Sequence, residues 1–268
     1  MLSKLMRHEF RASGRILLPV YLTLLLTSVL GNLFWHLSQK YDESIAVTIF
    51  QRLTMTAFIV IAIGCAVLTL ALMVYRFYKN LMTDEGYLMF TLPCSVGQIV
   101  WSKLLVALVW SVVTFVVEAL SVLIFIMGDI NWKSLFSDLP ELFKELELTA
   151  GEAIGYCGEG LLLVVLAALS TFLMFYAAIA LGHSFANHKI LLSVVFYIAF
   201  NFGLQLVSSF GLLFGAVNLI PDELFLDGDN LWQSFQLIAW GSIVWSALLC
   251  VGLYFLTHAM LKRRLNLQ

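Results

Sequence analysis

Six long apolar runs alternate along the chain with segments that hold nearly all of its charged residues. The runs are Ile16–Trp35, Leu53–Tyr75, Leu104–Met127, Leu161–Leu181, Ile190–Ile220 and Phe235–Thr257, and only the third carries a charge inside it, Glu118. A helix needs roughly 20 apolar residues to cross the hydrocarbon core, so each run predicts one membrane span. The fifth run exceeds that need. It predicts either one tilted helix or a span followed by a short outer-leaflet helix around Gly211–Ile220. The expected fold class is therefore an all-α polytopic membrane protein, a single transmembrane domain over residues 1–268.

The segments between the runs have patterns of their own. In residues 1–15, Leu2, Leu5, Met6 and Phe10 follow helical spacing, while Lys4, Arg7, Arg11 and Arg15 line another face. This predicts an interfacial helix, either a topology anchor or a lever that joins the first span to a partner. Ile16–Trp35 is longer than the roughly 7–15 apolar residues of a secretory signal, and no small-residue cleavage site follows, so it reads as a retained span. In the loop 76–103, Thr83 is placed to cap a short helix whose first turn holds Asp84 and Glu85, and Pro93 ends that helix. Ser95 and Gln98 then have the spacing of a capping box that starts the helix of the third span. The outer segment 128–160 contains Asp138-Leu-Pro-Glu141 followed by Leu139, Leu142, Phe143 and Leu146 on one stripe. That predicts an amphipathic helix on the outer side. Gly151 with Gly155, and Gly211 with Gly215, form G-x-x-x-G pairs that permit close helix packing.

Composition narrows the class. The chain is 61% hydrophobic and 12% charged, with a mean hydropathy of +0.94. A soluble domain has about 45–50% apolar and about 25% charged residues. A soluble enzyme, a disordered tail and a disulfide scaffold are all poor fits. The net charge of −2 gives no general attraction to nucleic acid. Cys65, Cys94, Cys157 and Cys250 show neither disulfide-framework nor metal-ligand spacing. Lysine and arginine set the direction. With six spans, eleven of the fifteen fall on the side of the two termini and thirteen of the seventeen acids on the other. By the positive-inside rule both termini are cytoplasmic.

Motifs of catalysis are missing from the sequence. It has no Walker A glycine-lysine loop, H-E-x-x-H, G-x-S-x-G or dinucleotide fingerprint. His183 and His188 are five apart, not the four that would put two ligands on one helical face. The expectation is a chain that is not an enzyme and holds neither metal nor cofactor. Three polar residues inside spans are candidates for a transport pathway: Glu118, Asn201 and Gln205. A central carboxyl is costly in lipid and should face protein, water or a cation. It serves either as a pathway group or as a packing hydrogen bond. Asn201 and Gln205, one turn apart, form a polar stripe whose commoner use is interhelical packing.

The loop between the second and third spans carries the most unusual surface. Tyr87, Leu88, Met89, Phe90 and Leu92 place apolar side chains on the water side of the membrane, where such a patch either lies against lipid headgroups or docks a cytoplasmic protein. Here the sequence resembles a known family. Arg76–Lys103, above all Asp84-Glu85-Gly86-Tyr87-Leu88-Met89-Phe90-Thr91-Leu92-Pro93 and Trp101-Ser102-Lys103-Leu104-Leu105, resembles bacterial ABC transporter permeases of the type-2 export class. Ala180-Leu181-Gly182-His183 through His188-Lys189 is a second point of likeness, and the six-span layout with an N-terminal interfacial helix also fits. The resemblance implies a plasma-membrane permease that pairs with a second copy or a paralogue and binds a separate cytoplasmic ATPase, which would hold the ATP and magnesium. It further implies that Asp84, Glu85, Gly86, Tyr87, Leu88, Met89, Phe90, Leu92 and Pro93 form the coupling helix that docks on that ATPase. The competing readings are an ion-coupled secondary transporter and a membrane scaffold without an ATPase.

Overall fold

A computed structural model of the chain describes residues 2–41, 44–83, 85–87, 94–127, 149–185, 187–218 and 231–263. It contains six long helices: α1 (Leu2–Lys40), α2 (Ile45–Met82), α3 (Val96–Ile126), α4 (Ala150–Gly182), α5 (Lys189–Asn218) and α6 (Leu231–Arg263). All six are long and apolar enough to cross a membrane, and no strand occurs among the described residues. The protein is an all-α, multi-pass membrane protein. The amphipathic helix expected near residues 138–146 lies outside the described residues.

All the helices but α5 run well past their apolar runs at one end or both. At 1.5 Å per residue, α1 and α2 measure about 57–58 Å, against a hydrocarbon core of about 30 Å. Residues 2–15, expected as an interfacial helix, are helical and continue into the first span without a break. Their arginines Arg7, Arg11 and Arg15 are exposed, whereas Glu9, Ser13, Leu17, Tyr21, Leu24 and Ser28 form one buried stripe down the helix. Pro19 sits inside α1 and removes the donor that would have reached the Arg15 carbonyl. That carbonyl lies at the basic end of the span, where water can satisfy it.

Local hydrogen bonds explain the helix starts. Ser95 and Gln98 make the expected reciprocal capping box, each backbone N–H donating to the other's side chain at 3.3 Å. A second box begins α4: Thr149 donates its N–H and its hydroxyl to Glu152 Oε2, both at 2.8 Å, and accepts from the Glu152 N–H. The fourth helix therefore starts eleven residues before Leu161, where Glu159 ends the charge-free run. The fifth run resolves as one helix, unbroken through Gly211 to Asn218.

The chain divides into two compact units, Met1–Met73 with Leu105–Ile154 and Val74–Leu104 with Gly155–Gln268. Inside the first, Leu17, Leu24, Cys65 and Ala107 are fully buried. Tyr21 and Phe10 pack on Trp110, and Phe58 stacks on Phe125 at 4.9 Å. Gly31 lies so close to the Phe125 ring that a Cβ there would overlap it, and the neighbouring Asn32 donates to the Phe125 carbonyl at 3.0 Å. Inside the second unit Phe77 stacks on Tyr176 with centroids 3.8 Å apart, among buried Leu81, Ile99, Val100 and Leu104.

Candidate functional site

The segment that joins α2 to α3 begins from a well-anchored base. Phe77, Leu81 and Met82 are buried at the end of α2, and Ile99 and Val100 at the start of α3. Between them Glu85, Gly86 and Tyr87 are helical. Glu85 is exposed and pairs with Lys79 Nζ at 3.3 Å. The Gly86 N–H donates to the Thr83 carbonyl at 2.8 Å, while the Thr83 hydroxyl turns back to the Lys79 carbonyl. Thr83 thus begins the turn through its backbone, and its side chain bonds the preceding helix. Gly86 is buried and Tyr87 is 54% exposed. Asp84, Leu88, Met89, Phe90, Leu92 and Pro93 lie outside the described residues.

The turn between α4 and α5 packs against the same end of α2. His183 is buried, its Nδ1–H donates to the Ile179 carbonyl at 2.9 Å, and its ring meets Tyr78 edge-on at 5.4 Å. Burial holds the His183 pKa below its ordinary value, the Lys189 charge lowers it further, and the hydrogen bond to Ile179 opposes both. Gly182 closes on Ser193 so tightly that a Cβ would overlap both its side chain and its backbone. The chain reverses through His188, whose φ of 54° is in the left-handed region that histidine tolerates better than most residues. Its carbonyl accepts the Leu192 N–H at 2.9 Å, in the first turn of α5. Ser184 and Phe185 tie the turn to α6 and α5 through Met260 and Phe196. The two stretches singled out in the sequence, 76–103 and 180–189, meet at Tyr78 and His183.

The three intramembrane candidates separate into two places. Asn201 and Gln205 line a cavity of about 300 Å³ inside the second unit, together with Ser170, Thr171 and Ser208. Met174 and leucines of α5 and α6 complete its wall. Both amides remain exposed, so the cavity is open on the α5 side. Asn201 Nδ2 donates to the Tyr197 carbonyl of its own helix at 3.0 Å, and Trp245 Nε1 donates to Ser208 Oγ at 3.0 Å.

Glu118 belongs to the first unit and is half-buried, one helical turn after Thr114. Thr114 is the centre of a buried hydroxyl chain: Tyr21 Oη lies 2.8 Å and Thr69 Oγ1 3.0 Å from its Oγ1. Glu118 Oε1 is buried without a hydrogen-bond partner among the described residues. Sequence reasoning missed Ser170, Thr171, Ser208 and the Tyr21–Thr114–Thr69 chain. The only signal was hydroxyls inside charge-free runs, which are too common in membrane helices to mark a site by themselves. Among the described residues no three His, Cys, Asp or Glu side chains converge as metal ligands would.

No protein-family model matches the chain, and no curated protein or solved structure matches it.

Proposed function

We propose that the chain is the transmembrane permease subunit of an ATP-driven ABC exporter in a bacterial plasma membrane, with both termini cytoplasmic. The observation that carries this reading is the meeting of the two family-like segments at Tyr78 and His183. A docking helix must be attached to the spans it moves. Glu85–Tyr87 follows directly on the buried end of α2, and the α4–α5 turn braces the same end. Tyr87 is exposed there, and exposed aromatic side chains are enriched at protein interfaces.

In this reading a separate cytoplasmic ATPase binds the segment 84–93, and its nucleotide-driven closure pushes on α2 and α3. Packed helices respond by rigid-body shifts between discrete arrangements. A second copy or a paralogue completes the permease. Glu118, Asn201 and Gln205 are then the polar residues available to a pathway. Hydrolysis belongs to the partner, so this chain is a coupling and conducting subunit without catalytic residues.

The test is a mild-detergent pull-down from native membranes with every co-purifying chain identified. The expected result is a soluble subunit that carries G-x-x-x-x-G-K-[ST] and is lost from the Leu88→Asp and Tyr87→Asp variants. Recovery of the chain alone, without ATP hydrolysis in the preparation, would overturn the proposal in favour of an ion-coupled transporter or a scaffold.

A further inference from the structure

We infer that the cavity among α4, α5 and α6 is a binding site for an uncharged, hydroxyl-rich group about the size of one hexose. The first ground is depth. Asn201 and Ser208 are about 18 and 28 Å along α5 from Lys189, and Ser170 is about 18 Å from the Gly182 end of α4. These polar groups therefore lie within the span of the hydrocarbon core, about 30 Å thick. Polar side chains at that depth usually bond a neighbouring helix. Here Asn201 bonds its own helix, and no hydrogen bond of the Gln205 side chain is seen among the described residues. They are not glue between helices.

The second ground is what the wall still offers. The Ser170 and Thr171 hydroxyls donate to the Ala167 carbonyl at 2.9 and 2.8 Å, so their oxygens face the cavity as acceptors. Ser208 is the reverse case: it accepts from Trp245 and keeps its own O–H to donate. Asn201 keeps its carbonyl oxygen and one N–H, and Gln205 its whole amide. The wall thus offers acceptors from α4 and both donors and acceptors from α5. Hydroxyl groups, which do both, are the complement to such a wall.

Charge and volume set the class. Among the described residues no acidic or basic side chain lines the cavity. An ionic ligand would leave its charge unpaired in a low-dielectric site at a cost of several kcal/mol, which argues for a neutral one. About 300 Å³ holds the volume of roughly ten waters at about 30 Å³ each, the low end for ligand pockets. The opening on the α5 side suits entry from the bilayer, as the headgroup of a neutral glycolipid. The same chemistry would also take a free sugar.

The experiment uses the full chain, extracted without a sugar-headed detergent and placed in phosphatidylglycerol nanodiscs. Monoglucosyl diacylglycerol in the bilayer is one probe and free methyl glucoside the other, with bound ligand counted by native mass spectrometry and equilibrium dialysis. The expected result is retention of one probe or both at least tenfold above phosphatidylglycerol, lost on Asn201→Leu with Gln205→Leu. Binding of the lipid alone assigns a headgroup site, and binding of the free glucoside assigns a solute site. Ser170→Leu, which fills the space from the α4 side, should abolish binding as well. Equal retention on the wild type and the amide variant, or no preference over the anionic lipid, would overturn the inference. Neither nucleotide nor ATPase takes part, so this result and the pull-down stand or fall separately.

Discussion

Both units carry polar side chains within their long apolar helices and use them in opposite ways. In the first, Tyr21, Thr114 and Thr69 come from three helices and bond one another within 3.0 Å, all at most 5% exposed. In the second, Ser170, Thr171, Asn201, Gln205 and Ser208 also come from neighbouring helices, but they surround open space. A closed set holds helices together. An open set, tied across helices only by the Trp245–Ser208 bond, leaves hydrogen-bonding capacity for something else. The difference lies in geometry rather than in residue type, because hydroxyls occur in both.

Glycine contacts in the two units give the largest expected effects. Gly182→Ala would drive a methyl into Ser193, whose backbone cannot swing away. Its cost should be near the upper end for overpacking, about 3 kcal/mol. Gly31→Ala meets only the Phe125 ring, which can turn, and should cost about 1–2 kcal/mol. Thermal unfolding of both variants in one detergent compares them. A midpoint for Gly31→Ala below that for Gly182→Ala would show that the ring is as rigid as the backbone.

The polar sets themselves come next. Thr114→Val leaves the buried Tyr21 hydroxyl without its partner and should cost about 1 kcal/mol, since membrane hydrogen bonds average about 0.6 and reach about 1.7. Asn201→Leu with Gln205→Leu removes no bond between helices and should change stability by less than about 0.5 kcal/mol. Equal losses from the two changes would erase the distinction between a closed and an open set.

How much of this could be read before the fold was known depends on the range of the interaction. Six spans follow from charge-free runs, because lipid penalises charge within one helix. Helix ends were less legible. Glu159 ended the fourth apolar run, yet the helix continues back to Ala150, where Thr149 and Glu152 form a box visible in the sequence as T-A-G-E. Residues 2–15 read as a separate surface helix because their arginines share a face. The stripe from Glu9 to Ser28 shows that they share one helix with the span. Glu118, Asn201 and Gln205 were grouped by polarity alone. Periodicity assigns a residue to a face of its own helix and is silent on which helix lies opposite. The Ser170–Thr171 wall across from Asn201 was therefore out of reach.

His183 gives a pH-dependent test confined to the second unit. Its folded pKa is depressed by burial, so the unfolded chain takes up the proton first as pH falls. The stabilising contribution is complete above the ordinary value of about 6.5 and is lost as pH drops through the lower folded value. Unfolding midpoints measured from pH 7.5 downward should fall more steeply for the wild type than for His183→Gln. Parallel profiles would mean that the ring gains its proton without cost where it sits, against the Tyr78 edge.

The smallest expected effect concerns Lys79 and Glu85, which tie the start of the proposed coupling segment to the end of α2. Both side chains are about half exposed, and exposed pairs contribute about 0–1 kcal/mol, so neither Lys79→Glu nor Glu85→Lys should shift the unfolding midpoint measurably. Their value is in the comparison with function. If the pair only decorates the surface, Lys79→Glu will retain the proposed ATPase partner as the wild type does. If it sets the angle at which Glu85–Tyr87 leaves α2, each single reversal will lower ATP-driven transport several-fold. The double reversal, which restores attraction between the same two positions, will recover it in part. Full recovery is not expected, because Glu85 is itself on the proposed docking surface and a lysine there presents the partner with the opposite charge.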